Sequence, residues 1–213
     1  MKKGIIFVDG VDGSGKSTFC QRLQSFIHAI DGGDVDTVSF PTAEVKTRLK
    51  ASSSVPKASD FLADIGSVLL TQLASPNWLI CDRSFLSTMA YQGVSLAEVT
   101  NFLPGAVLEV PMAIIWLDWP VETILQNLGV RTAGGGLGGI GILDRTSDLK
   151  NQVEKLIYQY DLSWTEWASA CRMKATKKAV RVSMRTDETF DKAIDRFIRD
   201  DMFSLIRSLG VTI

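Results

Sequence analysis

The sequence predicts an α/β fold in which helices flank a mostly parallel, five-stranded sheet, organised as a single domain over residues 1–213. Short apolar runs alternate with longer segments of helical periodicity, and this order is typical of consecutive βαβ units. The length of 213 residues suits one well-buried hydrophobic core, and neither an internal repeat nor a linker divides the chain.

The predicted elements follow from the spacing of apolar residues and from the glycine, proline and aspartate residues that bound them. Five apolar runs are predicted as strands: Gly4–Val8, Val35–Phe40, Trp78–Cys81, Ala113–Leu117 and Val180–Met184. Five segments are predicted as helices: Lys16–Ile30, Ala58–Leu73, Val121–Leu128, Leu149–Ala170 and Phe190–Leu209. The glycine-rich run Gly134–Gly141 leaves the backbone too free for a fixed element, which predicts a flexible lid at approximately residues 130–147.

Composition argues against several classes of protein. The 23 Lys and Arg residues nearly balance the 24 Asp and Glu residues, so no basic surface for polymeric nucleic acid is expected. The apolar run near the N-terminus is too short for a signal sequence or a membrane span. The three cysteines lie far apart without a CxxC pair, which favours reduced thiols in a cytoplasmic protein. No membrane contact is expected.

The most specific motif lies between the first predicted strand and the first predicted helix. Residues 10–17 read GVDGSGKS and match the pattern GxxxxGK[ST], in the strand–turn–helix context that a phosphate-binding loop, or P-loop, requires. Backbone N–H groups and the helix N-terminus would surround the β-phosphate, Lys16 would contact the β- and γ-phosphates, and Ser17 would bind Mg²⁺. The residues predicted to bind ATP are Gly10, Asp12, Gly13, Ser14, Gly15, Lys16, Ser17 and Thr18. The motif therefore predicts a three-layer P-loop NTPase fold.

A P-loop alone does not distinguish a kinase from a switch GTPase or an ATPase motor. The sequence shows no NKxD-like motif for guanine recognition. It is also short for a motor, and no arginine-rich oligomer face is recognisable.

A second constellation follows the third predicted strand, where Asp82 and Arg83 come directly after Cys81. Ligands of open α/β sheets bind at the carboxyl ends of the strands. An aspartate there can hold Mg²⁺, and the adjacent guanidinium can clamp an acceptor phosphate with two hydrogen bonds.

These segments resemble the thymidylate kinase family. Residues 82–93, DRSFLSTMAYQG, are similar to that family's DRxxxSxxAYQG segment, and residues 7–18 resemble its FxEGxDGxGKST loop, with Asp9 in place of glutamate. Weaker similarities are the LDWPVE run at residues 117–122 and the LDR run at residues 143–145. The similar blocks occur in family order as far as about residue 145.

The resemblance implies transfer of the ATP γ-phosphate, with Mg²⁺, to a pyrimidine deoxynucleoside monophosphate, typically dTMP. It implies that Arg83 grips the acceptor phosphate, that Asp12 contacts the sugar, that Phe61 stacks on the base and that Tyr91 excludes a 2′-hydroxyl. It further implies a homodimer, with the helix Ala58–Leu73 as a possible surface. The full set of expected acceptor-binding residues is Asp12, Phe40, Pro41, Arg48, Phe61, Arg83, Ser87, Tyr91 and Gln92.

Three departures from the family pattern are Ile65, the turn after Pro41, and a lid that is unusually glycine-rich and poor in basic residues. A further difference lies in the phosphate loop. Gly13 occupies a position where some members carry arginine, so the arginine that stabilises the transition state is expected from the lid, as Arg131 or Arg145. Ile65 replaces an arginine that contacts the base, which predicts relaxed or altered base specificity. The turn after Pro41 lacks its usual arginine, and Arg48 is the nearest replacement.

Three alternatives stay open. A deoxynucleoside kinase would share the Asp82-Arg83-Ser84 element but would need a carboxylate base for its neutral hydroxyl acceptor, and Asp9 is the candidate. A kinase of a modified pyrimidine nucleotide is the second alternative. The third is a nucleotide-dependent switch without a transfer activity.

Overall fold

The computed structural model of the chain describes residues 4–52, 55–103, 105–133, 148–172, 174 and 176–210. Five strands form one sheet: β1 (Ile5–Asp9), β2 (Val35–Ser39), β3 (Trp78–Asp82), β4 (Met112–Asp118) and β5 (Lys177–Ser183). The helices before the fourth strand are α1 (Lys16–Asp31), α2 (Ala43–Ala51), α3 (Ala58–Gln72), α4 (Phe85–Gln92), α5 (Leu96–Phe102) and α6 (Gly105–Leu108). Those after it are α7 (Val121–Ala133), α8 (Leu149–Cys171), α9 (Phe190–Asp200) and α10 (Met202–Ser208).

The sheet is parallel throughout, with strand order β2-β3-β1-β4-β5. The strands β1, β3 and β4 are continuous apolar runs because helices cover both of their faces. The edge strand β2 instead alternates half-buried and exposed residues. Helix α1 packs against β1, β2, β3 and α9, whereas α8 packs against α4, α7 and β5. The predicted α/β fold with a five-stranded parallel sheet is therefore confirmed.

The predicted strands and helices recur with bounds that differ by a few residues at most ends. Helix α7 continues to Ala133, beyond the predicted end at Leu128. The predicted closing helix Phe190–Leu209 is two helices, because Asp201 leaves the α9 geometry and occupies the N-cap position of α10. Aspartate is a poor interior helix residue, which is consistent with the break, although the Asp201 side chain makes no capping hydrogen bond.

Four helices were not predicted, and short polar caps begin three of them. The side chains of Thr42, Ser84 and Ser95 accept hydrogen bonds from the first turns of α2, α4 and α5. At Ser95 the motif is a complete capping box with Glu98. No described helix is both long enough and apolar enough to cross a membrane.

Candidate active site

The loop between β1 and α1 is shaped by glycines that have no room for a side chain. Gly10, Gly13 and Gly15 all have φ between 73° and 150°. A Cβ on Gly15 would lie 1.9 Å from the Phe190 ring, and a Cβ on Gly10 would lie 2.9 Å from the carbonyl oxygen of Leu117. The backbone is thus free to curl in front of the N-terminus of α1, as a phosphate cradle requires.

Lys16 lies buried behind this loop. Its Nζ donates hydrogen bonds of 2.9 Å and 3.0 Å to the carbonyl oxygens of Gly10 and Val11. Burial, together with the charge of Arg83, lowers the pKa of Lys16, although nearby aspartates oppose that shift. The ammonium group is therefore held at the loop by main-chain oxygens.

Two oxygen-bearing side chains meet beside the cradle. Ser17, in the first turn of α1, donates a 2.6 Å hydrogen bond from Oγ to Oδ2 of Asp82, the last residue of β3. The two residues predicted to bind Mg²⁺ are thus neighbours. Within the described residues, no group of three or more His, Cys, Asp and Glu side chains is arranged to hold a metal ion.

The predicted acceptor arginine faces the loop. Arg83 has a φ of 81°, unusual for a residue with a side chain, and its Nη2 donates to Asp12 Oδ1. The Tyr91 hydroxyl donates to Asp12 Oδ2 at 3.3 Å, and the Arg83 guanidinium lies 5.7 Å from the Tyr91 ring centroid. Burial would raise the pKa of Asp12, but the charges of Arg83 and Lys16 outweigh it and leave that pKa below its ordinary value. The structure thus brings Lys16, Asp12, Arg83 and Tyr91 together.

Asp9 ends β1 and is fully buried. Its Oδ1 accepts hydrogen bonds from Gly10 N, Ser87 Oγ and the Tyr160 hydroxyl at 2.6–2.9 Å. Its Oδ2 accepts from the backbone N of Ser84 and Ser87 at 2.9 Å and 3.1 Å, and from Ser84 Oγ at 2.5 Å. The structure does not favour Asp9 as a catalytic base, because it is fully buried and both of its oxygens already accept hydrogen bonds. Asp9 instead joins the loop to α4.

The same contacts bear on Ser87, which was expected to bind the acceptor. Its buried hydroxyl contacts Asp9 and Tyr160, not the open side of the loop. The structure therefore gives Ser87 a role inside the protein, where it positions Asp9.

The remaining acceptor candidates are dispersed around the turn after β2. Phe40 is buried, joins Pro41 through a cis peptide bond, and precedes Thr42. Asp64 of α3 accepts hydrogen bonds from the backbone N and the hydroxyl of Thr42 at 2.7 Å and 2.8 Å, which fixes α3 against this turn. Phe61 lies half-buried one turn before Asp64.

Three further positions predicted to bear on the acceptor, Ile65, Arg48 and Gln92, have no contact with the phosphate loop among those described for the structure. Ile65 is buried in the core, so the position expected to read a base carries no polar group. Arg48 is exposed in α2, and Gln92 is exposed at the end of α4.

Three side chains that the sequence pattern did not single out for function support the loop, two from the β4–α7 side and one, Phe190, from the start of α9. Trp119 Nε1 donates to the carbonyl oxygen of Ser14 at 2.7 Å, and Asn127 Nδ2 donates to that of Gly13 at 2.9 Å. The rings of Trp119 and Phe190 pack edge to face at 5.8 Å. Trp119 could have been predicted from its place in the turn after β4, at the carboxyl end of a strand. No sequence pattern marks Asn127 or Phe190 as a loop contact.

The lid residues are only partly described. Arg131 lies in the last turn of α7, and Arg145 lies outside the described residues. A Cβ on Gly13 would lie 2.9 Å from Leu128 Cγ and 3.0 Å from the Ile124 carbonyl oxygen, so α7 occupies the space that a loop arginine would need.

Comparison with known proteins identifies sequence relatives of this chain. The chain is 31% identical over 144 residues to the thymidylate kinase of Akkermansia muciniphila, an alignment covering 61% of this chain and 69% of that one. It is 28% identical over 144 residues to the thymidylate kinase of Psychrobacter sp., covering 58% and 69% of the two chains.

No protein-family model matches the chain. The crystal structure of thymidylate kinase from Ehrlichia chaffeensis superposes with a TM-score of 0.62 at 18% identity, over 96% of this chain and all of the other, which shows a shared fold. With the sequence relatives, the phosphate loop and the parallel sheet taken together, the chain belongs to the thymidylate kinase family and is an ATP-dependent nucleoside monophosphate kinase.

Proposed function

We propose that this protein transfers the γ-phosphate of ATP to dTMP or a closely related pyrimidine deoxynucleoside monophosphate, giving ADP and the nucleoside diphosphate. The observation that carries the proposal is the pairing of Arg83 with Asp12 beside the buried Lys16. A guanidinium at that place is suited to hold an acceptor phosphate facing the donor phosphates. Sequence relatives named thymidylate kinase support dTMP as the first acceptor to test.

On the donor side, the roles follow from the loop. Backbone N–H groups of residues 10–17 and the N-terminus of α1 bind the β-phosphate, and Lys16 leaves its carbonyl partners to contact the β- and γ-phosphates. Charge that moves toward the leaving oxygens is thereby stabilised by groups already in place.

Ser17 and Asp82 are the residues that would hold Mg²⁺. A hydroxyl and a carboxylate are hard oxygen ligands, and Mg²⁺ in phosphoryl-transfer sites takes its other ligands from water and phosphate. Two adjacent protein ligands therefore fit that ion. When bound, the ion would neutralise charge on the β- and γ-phosphates.

On the acceptor side, an incoming phosphate would compete with Asp12 for Arg83. Asp12 would then be free to accept a hydrogen bond from the acceptor sugar, and Tyr91 would lie beside the 2′-position. A phosphate oxygen is anionic at neutral pH, so the reaction needs no strong general base. Phe40, Pro41 and Phe61 are the apolar groups proposed to border the base, with Arg48 and Gln92 at the rim.

The lid is proposed to supply the arginine that neutralises the transition state. Because α7 leaves no room for a side chain at Gly13, Arg131 and Arg145 remain the candidates. An arginine in that role is worth about 10³–10⁵ in rate.

Relaxed base specificity is part of the proposal. A buried isoleucine at position 65 cannot hydrogen-bond a base, and a pocket without such a donor discriminates weakly between pyrimidines. We expect dUMP or a 5-substituted dUMP to compete with dTMP more effectively than in a pocket with an arginine.

A panel of acceptors tests the proposal by following ADP release with ATP and dTMP, dUMP, dCMP, 5-hydroxymethyl-dUMP or thymidine. Turnover with one or more of the monophosphates and none with thymidine is expected. Turnover on thymidine alone would overturn the proposal in favour of a deoxynucleoside kinase. ATP hydrolysis indifferent to every acceptor would instead indicate a nucleotide-dependent switch.

Assembly as a homodimer in the cytoplasm stays a prediction. Leu70 of α3 is 47% exposed, which makes the outer face of that helix a reasonable contact surface. Sedimentation of the wild-type chain, compared with a Leu70→Glu variant, would test it.

A further inference from the structure

The carbonyl oxygen of Gly10 would lose a hydrogen-bond donor when Lys16 turns to a bound nucleotide. It accepts the 2.9 Å hydrogen bond from Lys16 Nζ. The other oxygen that Lys16 contacts, that of Val11, has a second donor in the backbone N–H of Ser14 at 3.0 Å. When Lys16 turns to a phosphate, the Val11 oxygen thus keeps a partner. The Gly10 oxygen needs one, because an unpaired buried carbonyl opposes the change.

Tyr160 is placed to supply that partner. Its hydroxyl, reaching in from α8, lies 3.1 Å from the Gly10 oxygen and 2.9 Å from Asp9 Oδ1. Ser87 Oγ is a third neighbour at 2.8 Å, and one hydroxyl hydrogen can serve only one of these acceptors well at a time. Asp9 Oδ1 has other donors in Gly10 N and Ser87 Oγ, so Tyr160 can turn toward Gly10 without leaving Asp9 unsatisfied.

The ring of Tyr160 is fixed, so its hydroxyl can rotate while the side chain stays in place. The ring is fully buried, stacks on Trp116 with centroids 6.2 Å apart, and meets Tyr91 edge-on at 6.0 Å. Burial, followed by the charge of Asp9, raises the pKa of Tyr160, so the hydroxyl keeps its proton at neutral pH.

We propose that Tyr160 is a positioning residue for the donor nucleotide: its hydroxyl takes over the Gly10 carbonyl when Lys16 moves to the phosphates. The role rests on the proposed function of Lys16, but it concerns nucleotide binding alone and does not depend on which acceptor is used. The Gly10 oxygen has Lys16 as a second donor in the empty site and depends on the hydroxyl alone once Lys16 leaves, so the contribution of Tyr160 is largest in the bound state.

The test is the affinity for ADP, measured by calorimetry without any acceptor. Tyr160→Phe is expected to weaken ADP binding about tenfold, which corresponds to about 1.4 kcal/mol. Tyr158→Phe is the matched control, because it removes the same hydroxyl from an exposed position on the same helix, and unchanged affinity is expected. Equal ADP affinity in Tyr160→Phe and the wild type would overturn the proposal.

A double-mutant cycle separates this role from general loosening of the site. In a Lys16→Met background no ammonium leaves Gly10 upon binding, so the added Tyr160→Phe change should have little further effect on ADP affinity. A full tenfold loss in both backgrounds would show a purely structural contribution and contradict the proposal.

A spectroscopic measurement covers the case in which Tyr160→Phe fails to fold. With 3-fluorotyrosine at position 160, the ¹⁹F resonance is expected to shift when ADP is added, whereas the same probe at position 158 should not shift. An unchanged resonance at position 160, with ADP bound, would reject the exchange. Binding of ADP without any kinase turnover would count against the proposed function and leave the Tyr160 proposal standing.

Discussion

At the scale of single residues, Arg83 combines an uncommon backbone conformation with a partly buried ion pair to Asp12. A residue with a side chain at φ 81° is held there by its surroundings, and Arg83 N donates to the Val8 carbonyl oxygen at 2.9 Å. This bond ties the turn after β3 to β1, so that the guanidinium faces the phosphate loop. The backbone conformation of Arg83 and its ion pair with Asp12 therefore both hold the guanidinium against the phosphate loop.

Replacing Arg83 by lysine should raise the KM for dTMP about 10–100-fold, because an ammonium group cannot make the paired hydrogen bonds of a guanidinium. The KM for ATP should change much less. Steady-state kinetics with each substrate varied in turn would show this. Arg199→Lys is a suitable control, since Arg199 is exposed on α9 and pairs with Asp200. An equal rise in both KM values would place Arg83 outside the acceptor site.

Which residues could be foreseen depended on whether their contacts are local. The phosphate loop was predicted because its glycines, Lys16 and Ser17 lie within one turn between a strand and a helix. Arg83 was predicted because the carboxyl end of a parallel strand fixes its neighbourhood. Tyr160 was not, because nothing in a helical stripe of apolar residues tells whether a tyrosine hydroxyl will meet Asp9 or another core group.

At the scale of elements, α7 supports the phosphate loop before it reaches the lid. Asn127 bonds the Gly13 carbonyl, Leu128 packs over Gly13, and Arg131 follows one turn beyond Asn127. A residue four positions later lies on the same helical face. The helix thereby relates the loop to the region from which the transition-state arginine is expected.

Removal of the Asn127 amide should disturb the loop without creating a cavity. In Asn127→Leu the Gly13 carbonyl loses its donor, which should cost about 1 kcal/mol of stability and raise the KM for ATP several-fold. Gln126→Leu removes an exposed amide from the adjacent position of the same helix and should have neither effect. Urea unfolding and ATP titration of both variants would measure the difference. Indistinguishable behaviour would show that α7 does not restrain the loop.

Other elements show what a one-dimensional pattern leaves out. The strands β1, β3 and β4 were predicted well, because burial on both faces requires continuous apolar runs. The edge strand β5 begins at Lys177, three residues before its predicted start, because its first residues are lysines. The predicted helix Phe190–Leu209 was wrong in its continuity, since the apolar spacing runs on through the local change of backbone at Asp201. Helices α4 and α5 are short and begin at serine caps, and their few turns give little periodicity.

At the scale of the whole molecule, charge inside the core is confined to a few places. Lys177, at the start of β5, is 4% exposed and donates to the Val110 carbonyl oxygen. Burial, followed by repulsion from Lys174, lowers the pKa of Lys177 to about 8. The protein therefore carries a lysine that is easier to deprotonate when folded than when unfolded.

This shift predicts how stability depends on alkaline pH. Between the folded pKa of about 8 and the unfolded value of 10.5, the unfolded chain binds more protons at this residue, so its contribution to stability rises with pH. Below pH 8 the lysine is charged in both states and the cost of burying it is complete. Lys177→Met should remove this dependence, as measured by denaturant unfolding at pH 7, 8, 9 and 10. Parallel profiles for variant and wild type would contradict the assignment.

The ion pair between Arg83 and Asp12 affects which small anions the enzyme binds in the absence of nucleotide. A guanidinium already matched by a carboxylate attracts a lone anion weakly, so free inorganic phosphate gains little by displacing Asp12. A nucleoside monophosphate offers an anion for Arg83 and a hydroxyl for Asp12, so each side chain would gain a new partner when the ion pair between them is broken. In the proposed binding mode, the exchange would select ligands that carry two matching groups at a fixed separation, before any contact with the base is made.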